Sequence, residues 1–169
     1  MLLRLKKACI AVVTGAASLV VLSLLAFPGH AQQGPFANLS GSWSGSGRIT
    51  LSNETREPIR CRATYDAHAD GNHLQLALRC ASDSYNFEFR GNAINSDGDI
   101  TGNWSETTRH IAGQFTGRAS DNHIDIRAEG QTFAALMALT THGNRQSISI
   151  RSPGSEMSEV TIVLSRRLQ

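Results

Sequence analysis

Two cysteines, five scattered histidines and a row of arginines are the side chains from which the mature part of this 169-residue sequence could build chemistry. Cys61 and Cys80 stand at equal distances on either side of Asp70-Gly71. That dipeptide favours a two-residue hairpin turn, because glycine accepts the left-handed backbone such turns require. Folding the chain there sets the two sulfurs face to face, and a structural disulfide is expected. Catalysis needs a nucleophile or base held beside a partner, and no convergent set of His, Ser, Asp, Glu or Cys stands out. His68, His73, His110, His123 and His142 are spread singly, without the His-x-x-x-His or Cys-x-x-Cys spacing of a metal centre. His68 and His73 do face each other across the first hairpin, which offers at most a weak, adventitious metal site. The chain is expected to be non-catalytic, with no cofactor and no metal centre.

The arginines suggest binding. The same hairpin places Arg62 directly opposite Arg79 on the outer face, with Arg60 and Arg90 near, and pairing of Ile49 with Cys61 would bring Arg48 into the row. Like charges opposite each other destabilise a sheet. Anions are expected to neutralise them: Glu57, Asp66 and Glu88 within the protein, or the phosphate and carboxylate groups of a partner protein or anionic envelope component. The planar guanidinium suits such groups.

These side chains must be positioned by strands. From Gly41 onward the sequence shows two-residue alternation, broken every eight to twelve residues by Asp-Gly, Ser-Asp, Asp-Asn or Gly-Asn steps. With turns at Asp70-Gly71, Ser82-Asp83, Asp97-Gly98, Thr108-Arg109, Asp121-Asn122 and Gly143-Asn144, one face carries successive apolar pairs. Ala63 meets Leu78, Leu78 meets Phe87, Trp104 meets Gly91 and Gly113, Gly117 meets Ile126, and Leu139 meets Ile148. The expected fold is all-β: an antiparallel up-and-down meander of about ten short strands over residues 41–169, closed into a barrel because closure removes both exposed edges. A β-sandwich is the alternative. Residues 32–40, with Gly34 and Pro35, read as a mobile N-terminal arm.

On the inner face large rings (Trp43, Tyr65, Phe87, Phe89, Trp104, Phe115) mix with glycines. Glycine permits tight coiling and close approach of rings to backbone, and Trp104 between Gly91 and Gly113 reads as a ring covering the missing side chains. The same face could line an interior site for a small apolar ligand. Glu106 also falls inward, where it and Tyr65 or Tyr85 could orient the polar end of such a ligand.

Residues 1–31 read as a secretory signal: basic Arg4, Lys6 and Lys7, an apolar run from Ala8 to Phe27, and small residues ahead of a cleavage point between Ala31 and Gln32. A periplasmic or secreted destination follows, with no stable membrane insertion once the leader is removed. The leader holds three basic residues and no acidic one, so its loss turns the formal charge from +2 to −1. That balance gives no support to nucleic-acid binding.

Gly41-Ser42-Trp43 at the first strand, and Asp97-Gly98-Asp99-Ile100-Thr101-Gly102-Asn103-Trp104 later, resemble the calycin pattern, in which a G-x-W closes one end of a barrel. The second segment is similar to an avidin strand. Biotin binding is not carried over, because Ser44-Gly45-Ser46-Gly47 follows Trp43 and no tryptophan lies beyond Trp104. The chain also resembles small periplasmic inhibitors of secreted metalloproteases in its arm, its G-x-W strand and its two-cysteine staple. That resemblance implies an inhibitor whose arm, here residues 32–38, enters a protease cleft. Three functions are therefore expected in order: an exported protein binding a partner or anionic envelope component on its outer surface, a barrel holding an interior apolar ligand, and a calycin-like protease inhibitor.

Overall fold

The alternation of the sequence resolves into ten antiparallel strands in a computed structural model that describes residues 33–120, 122–131 and 134–167. They are β1 (Gly41–Leu51), β2 (Arg56–Ala67), β3 (His73–Ala81), β4 (Asn86–Ser96), β5 (Asp99–Glu106), β6 (Ile111–Ser120), β7 (His123–Gly130), β8 (Ala134–His142), β9 (Arg145–Arg151) and β10 (Met157–Arg166). Each strand pairs with its neighbour in sequence, and β10 returns to pair with β1, so the sheet closes into a barrel. The up-and-down meander is as expected, and the sandwich is excluded. The leader and the cleavage point at Ala31 and Gln32 lie outside the described residues.

Register follows the turn chemistry in most hairpins. Cys61 meets Cys80 and the two form a disulfide. Trp104 meets Gly91 and Gly113, Gly117 meets Ile126, and Leu139 meets Ile148. Two hairpins differ from expectation. The β3–β4 turn is centred on Asp83-Ser84, closed by the Ser82 amide donating to the Tyr85 carbonyl at 2.7 Å. A turn placed one residue later shifts the pairing by two, so Phe87 meets Cys80 and Phe89 meets Leu78. An even shift leaves the inward face unchanged. In the β1–β2 hairpin Gly45, not Ile49, meets Cys61, and Ile49 meets Glu57. Its turn is held by the Leu51 amide on the Thr55 carbonyl and by Asn53 Oδ1 accepting the Thr55 amide, with Glu54 at φ 66°.

Residues 33–40 close one end of the barrel and do not extend from it as a free arm. Phe36 and Leu39 are only 1% and 3% exposed. The Gly34 amide donates to the Asp70 carbonyl at 2.8 Å and the Phe36 amide to the Gly71 carbonyl at 3.0 Å, which seats the segment on the β2–β3 turn. Two buried apolar side chains are worth about 3–6 kcal/mol, enough to hold so short a piece in place. Directly above them the Trp43 indole donates to the Leu39 carbonyl at 2.8 Å and meets Tyr65 edge-on.

Farther along the interior, Trp104, Gly113 and Gly130 lie side by side on β5, β6 and β7. The indole leans over both glycines: a Cβ at Gly113 would come within 2.9 Å of the ring, and one at Gly130 within 3.1 Å. The ring thus covers β6 and β7, while Phe89 and Phe115 face the position of Gly91. Phe89 stacks on Trp104 with 5.8 Å between centroids, and the indole N–H is shared between the carbonyls of Gln114 and Glu129.

Candidate anion-binding groove

Strand alternation sends Arg60 and Arg62 of β2 outward, because their neighbours Ile59, Cys61 and Ala63 are buried. Across the outer face Arg62 lies between Ser44 of β1 and Arg79 of β3, and Arg60 between Ser46 and Ala81. The short side chains of Ser44, Ser46 and Ala81 keep the floor low. Arg167, just past β10, joins from the far side through its Nε, which donates to Ser44 Oγ at 3.2 Å. The result is an open groove of about 700 Å³ whose charged lining is Arg60, Arg62, Arg79, Arg167 and a single acid, Glu88.

That acid is already engaged. Glu88 Oε1 accepts from Arg79 at 3.1 Å and from Arg90 at 3.0 Å. The two guanidinium groups hold its carboxyl below the usual glutamate range. Glu57, a second expected counter-ion, is turned to the β3–β4 loop, where the Ser82 hydroxyl and the Ser84 amide lower its pKa. Among the described residues no carboxylate lies within ion-pairing distance of Arg60, Arg62 or Arg167, and Asp66 pairs with none of the row. Among the described residues the groove therefore carries more positive charge than its acid neutralises.

Arg48 is not part of it. The four-residue slip of the β1–β2 register puts Arg48 opposite Pro58 and Thr161, away from the row. Arg90 belongs only through Glu88. Arg167 and the serine floor were not legible as site features, since Arg167 follows the last strand and reaches Ser44 only when the barrel closes.

The residues expected to line an interior site are mostly consumed by the fold. Trp43 is buried and bonded to Leu39 of the closing segment, Trp104 covers its glycines, and Phe87 is partly buried against the core. Tyr65 is buried and donates to Gln146 Oε1 at 2.6 Å. Burial pushes the phenol pKa up, with the Gln146 hydrogen bond offsetting a part. Gln146 is 0% exposed and donates in turn to Thr141, closing an internal polar network. Tyr65 and Phe115 do border an interior space, but it is wholly apolar and holds about 70 Å³.

Glu106 is likewise occupied. It is 7% exposed, and it accepts the amides of Glu88 and Thr108 at 3.0 Å and that of Arg109 at 2.7 Å, together with the Thr108 hydroxyl. Desolvation raises its pKa, but the Thr108 hydroxyl and the three amides outweigh it and hold the carboxyl below the ordinary value. Its role is to cap the β5–β6 turn, not to face a ligand.

No family model and no curated protein matches this sequence. Solved structures match the fold of the barrel, two of them as follows. Rv2717c from M. tuberculosis superposes with a TM-score of 0.63 at 13% identity, over 81% of this chain and 100% of that one. The S-type phycobiliprotein lyase CPES from Guillardia theta gives 0.55 at 10% identity, over 79% and 91%. At these identities the likeness is one of fold, and the chain is a ten-strand calycin-like barrel.

Proposed function

We propose that this is an exported, non-catalytic binding protein whose outer groove takes carboxylate or phosphate groups carried by a partner protein or an envelope polymer. The observation that carries this reading is the pair Arg62 and Arg79, set directly opposite each other, with the one nearby acid, Glu88, shared between Arg79 and Arg90 and none on Arg62. Holding like charges in register costs stability, and an incoming anion offsets that cost. Arg60 and Arg62 keep their guanidinium donors available to bind it, and Arg167 its two terminal nitrogens. The leader and the paired cysteines support export to an oxidising compartment.

The lyase among the structural neighbours raises an interior ligand as the second reading. Against it stands the interior volume: ligand sites span about 300–1,000 Å³, and the space here is about 70 Å³. An inhibitor acting through residues 32–38 would have to withdraw Phe36 from a seat where it is 1% exposed.

The test uses polyphosphate and polygalacturonate as probes. Wild-type protein is expected to bind at least one of them, with affinity falling as salt rises, and Arg62→Glu with Arg79→Glu to abolish binding while the circular dichroism spectrum is kept. Retained binding in the double variant, or no binding by the wild type, overturns the groove. Export is checked by N-terminal sequencing of protein from the periplasmic fraction, where a start at Gln32 is expected.

A further inference from the structure

We propose that the tip of the β2–β3 hairpin is a binding site for a divalent transition-metal ion of the zinc class, held by His68, Asp70 and His73. These three residues each offer one donor atom, and the three atoms lie within 4.8 Å of one another. The two imidazole rings are stacked with centroids 5.0 Å apart and planes at 30°, and a donor nitrogen of each lies within 4.8 Å of the other. Asp70 Oδ2 stands 3.4 Å from His73 Nδ1.

The arrangement is built and not merely crowded. Asp70 Oδ1 accepts the Asn72 amide at 2.9 Å, which turns the other carboxylate oxygen toward the rings. The His68 amide donates to the His73 carbonyl at 3.0 Å, and the Gly71 amide to the His68 carbonyl at 2.9 Å, so the loop closes on itself. It is also clamped from outside. Gly34 and Phe36 bind the carbonyls of Asp70 and Gly71, and the Asn95 side chain binds Asn72 Oδ1 at 2.8 Å. A loop ordered in advance loses little entropy on binding.

Two imidazoles and one carboxylate suit zinc, nickel or copper better than magnesium or calcium, which prefer all-oxygen shells. A tetrahedral zinc with bonds of about 2.0–2.1 Å sets its donors about 3.4 Å apart, a convergence that rotation of these exposed side chains supplies. Water would complete the shell. The spacing of His68 and Asp70 matches no standard metal signature, and the cluster emerges only because the turn folds His73 back onto them. Since the same turn seats residues 33–40, a bound ion would stiffen the closed end of the barrel.

The experiment is titration of the full chain with ZnCl₂ by calorimetry, with Co²⁺ absorption as a report on geometry. One saturable site per chain is expected, with a loss of at least about tenfold in affinity for His73→Ala. Asp70→Asn, which keeps an acceptor for the Asn72 amide and so preserves the turn, is expected to weaken binding as well. Zinc should raise the melting temperature of the wild type and not of His73→Ala. Absence of saturable binding, wild-type affinity in either variant, or loss of the site in His142→Ala in place of these variants overturns the proposal.

Discussion

The guanidinium of Arg166 lies over the indole of Trp43, 4.7 Å from the ring centroid, and the two residues are cross-strand partners on β10 and β1. Its terminal nitrogens reach the carbonyl of Ser40 at 3.0 Å and that of Asn38. A single side chain thus ties together the last strand, the first strand and the segment that closes the barrel.

Removing it should loosen all three. Arg166→Ala is expected to cost about 2–4 kcal/mol, from charge-assisted hydrogen bonds and the cation–ring contact. Arg166→Lys should recover less than half of that, because an ammonium lacks the planar fork. Urea unfolding measures both, and proteolysis near residues 33–40 should accelerate in the alanine variant.

Glu106 gives the fold an acid-sensitive point. Its carboxyl is held below the ordinary value of 4.5 in the folded protein, so the stability it contributes is present above that value. It is lost as pH falls from there through the lowered folded value. Glu106→Gln should cost about 2 kcal/mol at neutral pH and flatten the decline in stability below about pH 4.5. Unfolding free energies measured between neutral and acid pH decide it, and an unchanged profile would remove Glu106 from this role.

Phe36→Ala tests whether the closing segment contributes to the core. The expected cost is about 3–5 kcal/mol, and the apolar space, now about 70 Å³, should enlarge enough to admit benzene. Chemical denaturation and a benzene-dependent rise in melting temperature are the measurements. Wild-type stability in this variant would mean that the segment is not docked in solution.

The strands were legible where a turn announced itself. Asp70-Gly71, Asp97-Gly98 and Gly143-Asn144 each contain a glycine that takes a positive φ, and from such fixed points the alternation propagates the register. The β1–β2 turn offered no such mark, since its left-handed residue is Glu54, and the slip there displaced Arg48. The β3–β4 slip was harmless to the face because it was even. Phe36 and Leu39, the two large apolar residues of residues 33–40 and three apart, were the readable sign of a docked segment, obscured by Gly34-Pro35. The groove was half legible: Arg62 opposite Arg79 follows from the cysteine symmetry, whereas Arg167 meets Ser44 only through closure of β10 on β1.

That closure also restricts how the protein can meet another. Many partners are captured by adding an extended strand to an open sheet, where main-chain hydrogen bonds supply affinity with little regard for sequence. Each of the ten described strands is paired on both sides, so the barrel itself offers no row of unpaired amides. Recognition has to proceed through side chains and turns, and selectivity among partners becomes a matter of the charge and shape these present.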